Sequence, residues 1–450
     1  MACSTTVEHA IFVLRENRLR SEIVVVGGGA GGLELACKLG RKLGPSKVML
    51  VDSRLYHIWK PSLHEVAAGT LDIHQEGLSY QMLAHDNGFT FAYGPLLSLD
   101  AGQRSLRIGA VSTAAGEEVL PERGIDFTSL VIAVGSTSNY FGVPGAEQHT
   151  ISLNATEDAE RFRLRLLRLL AGAEQDMSEG KPAAVDIVII GGGATGVELA
   201  AELREASGVY ASYGFQHLVG LRDIRITLLE GAPRILAPLP ERVAAAALTL
   251  LEQRAIQVVT DCRVTAIAAD SVTDNAGRVY RANLCVWAAG IRAPELLSTL
   301  GLATSRGGQL EVDAFLRVKG SEHIYAMGDC AACIDRNGKP VPPRAQSAHQ
   351  QADFLLETFL RQATGKAPQQ LGYAYTDYGS LVSMGSRTSV GSLMGALRGF
   401  NWFVEGFFAR MMYLSLHLLH HRAVLGTMRT GVLALARFLI RRTTPQVKLH

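Results

Sequence analysis

Glycine carries no reactive group, but its spacing can build a place where chemistry happens. Gly27, Gly29 and Gly32 satisfy the pattern G-x-G-x-x-G within the run Gly27-Gly28-Gly29-Ala30-Gly31-Gly32. The first glycine permits a sharp turn, the second lets the backbone approach a pyrophosphate, and the third lets a helix pack closely on a strand. Asp52 stands twenty residues after Gly32, where a carboxylate can accept hydrogen bonds from ribose hydroxyls. The pattern recurs at Gly191, Gly193 and Gly196, followed after 34 residues by a second acid, Glu230. Two fingerprints mean two dinucleotide sites, and the chemistry such a pair shares is electron transfer.

These residues need strands and helices to hold them. Residues 23–26 form a β-branched run that stops at the glycines, and residues 33–39 resume at helical spacing. Residues 48–51 are a second strand ending at Asp52. The later copy has the same parts, with strands at 186–190 and 226–229 and a helix from 197; its longer spacing predicts an insertion around 207–222. Each helix N-terminus would offer N–H groups and partial positive charge to phosphates. Two further apolar runs, 130–134 and 284–289, stop at Gly135 and Gly290, where backbone passes a cofactor. A third, 324–327, leads through Gly328 to Asp329, a carboxylate suited to the sugar-alcohol or phosphate region of a flavin or to capping a helix.

The expected fold is α/β, with two Rossmann-type dinucleotide-binding domains, the first interrupted by the second. The first occupies 1–150 and is completed by 296–385, the second occupies 151–295, and 386–450 forms C-terminal amphipathic helices that bind a membrane. Pro144-Gly145 and Gly180-Lys181-Pro182 suit the seams. Glu230 favours NADH over NADPH, because a carboxylate there accepts from a 2′-hydroxyl and repels a 2′-phosphate, although Arg234 could soften that preference.

The chain has 450 residues, 48% of them hydrophobic and 19% charged, enough for two or three cores. A formal charge of +2 gives no field suited to nucleic acid. The charge is uneven: residues 391–450 hold eight Lys or Arg (Arg398, Arg410, Arg422, Arg429, Arg437, Arg441, Arg442 and Lys448) against Glu405 alone, so this tail is +7 and the remainder −5. Six scattered cysteines do not suit a disulfide framework. No secretory signal is read in the first twenty residues, and no apolar window reaches the roughly 20 residues that span a bilayer.

Residues 27–36 (GGGAGGLELA), 51–69 (VDSRLYHIWKPSLHEVAAG), 135–145 (GSTSNYFGVPG), 191–203 (GGGATGVELAAEL), 286–294 (VWAAGIRAP) and 342–351 (PPRAQSAHQQ) together resemble the type II NADH dehydrogenases, closest to their bacterial branch. These are single-subunit, FAD-containing NADH:quinone oxidoreductases that sit on membranes without pumping protons. The resemblance implies FAD at Gly27, Gly29, Gly31, Gly32, Asp52, Lys60, Gly135, Gly328 and Asp329. It implies NADH at Gly191, Gly193, Thr195, Gly196, Glu230 and Gly290. It also sets Glu198 where nicotinamide meets the flavin ring, and Gln346 and Gln350 near the flavin at a quinone entrance. Glu198 is a candidate proton relay, though an acid in a helix's first turn is also favoured by the dipole. His349 is a weaker relay candidate and reads better as helix packing.

Relatives are separated by their cysteines. A glutathione-type disulfide reductase needs a redox pair that 51–69 lacks, and a sulfide:quinone oxidoreductase needs a catalytic cysteine in a stretch that here is free of them from 111 to 261. Cys330 and Cys333 could bind a soft metal only with two more ligands, so both, like Cys37, read as inert thiols, and no metal site is expected. From Phe400 to Ile440, aromatic and aliphatic residues (Phe400, Trp402, Phe403, Phe407, Phe408 and two longer runs) interleave with arginines and with His417, His420 and His421. This suits two or more helices lying in a lipid interface, or a helix pair used for packing or dimerisation. The expected partners are NADH, a membrane quinone, the bilayer and a second copy in a homodimer, with no nucleic acid. The expected location is peripheral, on the cytoplasmic face of the inner membrane. Competing functions are a soluble NADH diaphorase with a protein or metal acceptor, and a non-enzymatic redox sensor.

Overall fold

A strand buried on both faces must be apolar at every position, and the run before the first glycines meets that demand. In the computed structural model, which describes residues 18–212, 215–385, 388–394, 401–440 and 447, β1 (Arg18–Val26) has Val24 and Val25 wholly buried. Helix α1 (Ala30–Leu43) follows, then β2 (Val48–Asp52), short helix α2 (Leu63–Ala67), β3 (Thr90–Tyr93), β4 (Leu96–Asp100), β5 (Ser105–Ile108) and β6 (Arg123–Ile132). They form one sheet in the order β3-β2-β1-β6-β5-β4. The β3-β2-β1-β6 pairs are parallel, and β5 and β4 add antiparallel.

A second sheet comes from one later stretch of chain. It holds β7 (Ile151–Ser152), β8 (Val185–Ile190), β9 (Ile224–Leu229), β10 (Ile256–Val259) and β11 (Leu284–Trp287), in the all-parallel order β7-β11-β8-β9-β10. Helices α3 (Thr156–Ser178), α4 (Ala194–Ser212) and α5 (Glu241–Gln253) contribute to its core. The chain then returns: β12 (Ile324–Ala326) pairs in parallel with β6 of the first sheet, and α6 (Ala345–Ala363) packs on α1. The two crossings between the sheets lie side by side, because Thr137 pairs with Arg292 and Ser138 with Ile291 in a short antiparallel ribbon.

The extra spacing before Glu230 is taken up in two ways. Helix α4 runs to Ser212, five residues longer than α1, and a turn of helix at Gly220–Asp223 precedes β9. The buried Arg204 guanidinium ties this connection down by donating to the carbonyls of Gly220, Ile224 and Ala255 at 2.8, 2.9 and 3.0 Å.

The tail departs from its sequence reading. Asn401–Glu405, expected at the start of a helix, is instead the edge of a three-stranded antiparallel sheet with Ser389–Met394 and Gly379–Ser383. Its Trp, Phe and Val are strand formers, and a waiting partner strand lets them pair rather than coil. Two helices do follow, α7 (Gly406–Leu425) and α8 (Thr427–Ile440). Phe400, Arg398, Arg441, Arg442 and Lys448 lie outside the described residues, as do the side chains of Trp402, Phe407, Phe408 and Arg410. Helix α7 packs on α1: Arg41 donates to the Ala423 carbonyl, and Val424 joins the first core. Among the described residues no helix is long and apolar enough to cross a membrane.

Candidate active site

The two glycine loops are built alike. Gly27 and Gly191 turn with φ of +105° and +112°, in the region that favours glycine. A Cβ on Gly32 would lie 2.0 Å from the Gly27 carbonyl oxygen, and one on Gly196 would lie 1.9 Å from that of Gly191. Any larger residue would push helix from strand. At Gly29 and Gly193 the opposite holds: both are exposed, and a Cβ would meet nothing within 4 Å. Gly29 caps α1 and has no side chain to occupy the first-turn N–H groups, which an anion could therefore reach.

The acids close the loops in the same manner. Asp52 Oδ2 accepts from the Gly28 N–H at 2.6 Å and Oδ1 from Arg54 at 2.8 Å. Glu230 Oε2 accepts from the Gly192 N–H at 2.5 Å and Oε1 from Ala232 at 2.7 Å. Burial raises the Asp52 carboxyl above its ordinary value, opposed by those N–H groups. Arg234 donates to the carbonyls of Leu239 and Ala237, which engages the guanidinium that could have softened the preference set by Glu230.

A third set of groups gathers at the C-terminal ends of β6 and β12. Asp329 sits in a 3-10 turn, Gly328–Cys330, and its Oδ2 accepts from the Ser136 hydroxyl at 2.7 Å. Gln309 donates to the Asp329 carbonyl at 2.9 Å, and Lys60 Nζ lies 3.4 Å from the Ser136 carbonyl. Gly31 faces Met327 and Ala348, so it is a point of close approach between α1 and α6. Gly135 lies beyond β6 against the Cys330 thiol, which burial pushes up to about 11. The Cys333 thiol is raised similarly, and Cys37, Cys262, Cys285, Cys330 and Cys333 are all free and buried. Thr195 is exposed in the first turn of α4, and the Gly290 carbonyl accepts from Asn139 beside the interdomain ribbon.

Glu198 is buried at the meeting of three segments. Its Oε1 accepts from the Ser383 N–H at 2.9 Å, and its Oε2 lies 3.7 Å from Nδ1 of His64, a buried residue of α2. The glutamines of α6 differ in their surroundings. Gln346 Oε1 accepts from the Tyr375 hydroxyl at 2.6 Å. Gln350 engages both ends of its amide with Thr376, donating to the carbonyl at 2.8 Å and accepting from the N–H at 2.9 Å.

Sequence reasoning passed over several residues here. Gln351 is almost wholly buried and accepts from the Gly328 N–H at 2.7 Å, so it holds the turn that carries Asp329. The spacing of buried Ser347, Gln351 and Leu355 along α6 could have revealed it. The Gly28 carbonyl accepts from the Tyr80 hydroxyl at 2.7 Å and from His57 Nδ1 at 3.0 Å. A carbonyl only accepts, so His57 carries its proton at Nδ1, and His420 of α7, 2.9 Å away, must donate to its Nε2. Burial holds His57 down at about 4, which keeps it neutral. Helix α7 is thereby tied to the first glycine loop. His349, expected to pack, is instead exposed, and its Nδ1 lies 2.8 Å from buried Glu34 as a polar contact between α6 and α1.

Paired glycine loops, each closed by an acid and each set on parallel strands, suit the pyridine nucleotide-disulphide oxidoreductase class, and that family's model matches residues 21–352. Within the class, the chain is 37% identical over 444 residues to the type II NADH:quinone oxidoreductase of Haemophilus influenzae, covering 95% of this chain and 99% of that protein. The chain belongs to the type II NADH:quinone oxidoreductases. It is also 26% identical to the Staphylococcus aureus enzyme of that name, over 84% of this chain and 90% of that one. The demethylphylloquinone reductase of Synechocystis is 29% identical, over 84% and 87%. The NDH2 structure from Plasmodium falciparum in complex with NADH shares the fold, with a TM-score of 0.79 at 18% identity over 96% of this chain and 99% of that one.

Proposed function

We propose that the chain oxidises NADH and reduces a membrane quinone through bound FAD, working on the cytoplasmic face of a membrane that it touches without crossing. The observation that carries this reading is the double construction of the glycine loops, with an open second glycine and an uncapped helix start that a pyrophosphate would fill. Asp52 and Glu230, each already held by loop N–H groups, present carboxylates where the two riboses would lie. FAD belongs to the first loop with Gly27, Gly29, Gly31, Gly32, Asp52, Lys60, Gly135, Gly328 and Asp329. NADH belongs to the second with Gly191, Gly193, Thr195, Gly196, Glu230 and Gly290.

The flavin, when bound, supplies the hydride-accepting and electron-returning chemistry. The chain's own task is to bind, orient and exclude water. Asp329, set by Ser136, Gln309 and the Gly328–Gln351 bond, would hold the flavin's sugar-alcohol arm. Glu198, fixed by Ser383 and backed by His64, stands where it would relay a proton to the acceptor side. Gln346, steered by Tyr375, meets the quinone, while Gln350 holds the neighbouring segment at Thr376. Exposed Met411, Leu416 and Leu419 on α7 and Met428, Val432, Leu435 and Leu439 on α8 give the apolar foot, with exposed Arg422 for anionic headgroups.

Anaerobic titration tests the reading. Oxidised-flavin absorbance of the purified protein should bleach on adding NADH and return on adding a short-chain quinone. A protein that keeps its absorbance in excess NADH would be no NADH oxidase.

A further inference from the structure

The tail's histidines do more than pack. His417 and His421 are four residues apart on α7 and so share a face. Glu76, at the end of the short helix Ile73–Glu76, faces them, and one donor atom from each of the three lies within 4.8 Å of the others. Among the described residues this is the one group of its kind. His421 donates from Nδ1 to the His417 carbonyl at 3.0 Å, which fixes its tautomer and leaves the Nε2 lone pair for an acceptor role. That arrangement, a ring N–H on a backbone carbonyl with the other nitrogen presented outward, is the usual support for a metal-ligating imidazole.

A cation already sits among these groups. Arg437 of α8 donates to Glu76 Oε2, and its Nη2 lies 3.3 Å from His421 Nε2. The place therefore suits positive charge, and the donor set says which kind. Two imidazole nitrogens and one carboxylate oxygen match zinc and its divalent first-row neighbours, whereas calcium and magnesium favour all-oxygen shells. Zinc bonds of about 2.0–2.2 Å need the three donors to draw in by roughly an ångström once the guanidinium withdraws. The helix that carries two of them is held on α1 by Arg41 and on the first glycine loop by the His420–His57 bond, so it need not move.

We propose that Glu76, His417 and His421 form a divalent transition-metal site of the zinc type, with Arg437 as an internal cation that competes for it. Metal entry breaks the Arg437–Glu76 ion pair, which is one of the ties between α8 and the body of the molecule; another is Arg429–Asp86.

The test uses untagged, full-length protein in mild detergent, stripped with chelator and titrated with Co²⁺ for its visible d–d bands and with Zn²⁺ by calorimetry. One equivalent should bind. The His417→Gln, His421→Gln double variant should lose about tenfold or more in affinity, and Glu76→Gln should weaken binding in the same direction. Arg437→Met should tighten binding, a gain that misfolding does not produce. Melting curves in chelator check that the loss variants remain folded. Absence of uptake by the wild type, wild-type affinity in a folded double variant, or unchanged affinity in Arg437→Met would each overturn the proposal.

Discussion

At the scale of single residues, Glu230 makes two bonds that any nucleotide preference inherits. Each of its oxygens receives a loop N–H, so Glu230→Gln turns an amide NH₂ toward one of those donors while removing the charge that repels a 2′-phosphate. The NADH KM should rise about tenfold, roughly 1.4 kcal/mol, and the NADPH to NADH ratio of kcat/KM should increase. Steady-state kinetics with both nucleotides measures it, and an unchanged ratio would restrict Glu230 to holding its loop. His349 offers a pH test. The hydrogen bond that its Nδ1 donates to the Glu34 carboxylate raises its pKa above the ordinary 6.5, against a smaller opposing effect of burial. A raised folded-state value means that the stabilisation is complete below the unfolded pKa and fades as pH climbs through the folded one. His349→Gln should therefore lower the melting temperature more at pH 5.5 than at pH 8.5, and equal losses would mean the charge contributes nothing.

The residues that share a loop were legible because spacing encodes them. Those assembled across the fold were not. Nothing in the chain announces that Ser136 meets Asp329, or that His57 meets His420 across 363 positions.

At the scale of elements, parallel strands were readable because burial on both faces forces unbroken apolar runs, as in Ile187–Ile190 of β8. The edge strand Asn401–Glu405 was not, since a short apolar run of aromatics fits a helix equally well until its partner is known. This changes how the foot should be removed. Cutting before Gly391 would take away most of the strand that pairs with Gly379–Ser383, the segment that fixes Glu198, together with the His420 tie to His57. That truncation should yield unstable protein. Ending the chain at Gly426 removes α8 together with residues 441–450 and should leave NADH oxidation by a water-soluble acceptor while reducing sedimentation with anionic vesicles severalfold. Full vesicle binding without α8 would assign the foot to α7.

At the scale of the molecule, the two sheets meet through the ribbon and through a seam of polar contacts. Tyr210 of α4 donates to the Ala68 carbonyl just beyond α2 at 2.8 Å, and Thr70 donates to Glu202 at 2.6 Å. Tyr210→Phe should cost about 1 kcal/mol of stability, seen as a lower melting temperature. Because the seam sets one nucleotide unit against the other, the same change should slow flavin reduction in stopped flow while leaving the NADH dissociation constant within about twofold. A slowed step with weakened NADH binding would point to damage within α4 instead.

The pairing of Thr137 with Arg292 and Ser138 with Ile291 has a consequence for engineering. The stretch that makes the all-parallel sheet enters and departs through adjoining doorways, so a splice of a few residues between those doorways could excise it and leave the remaining halves adjacent. The same spot would accept a substitute module from another protein, provided its own ends lie as near to each other.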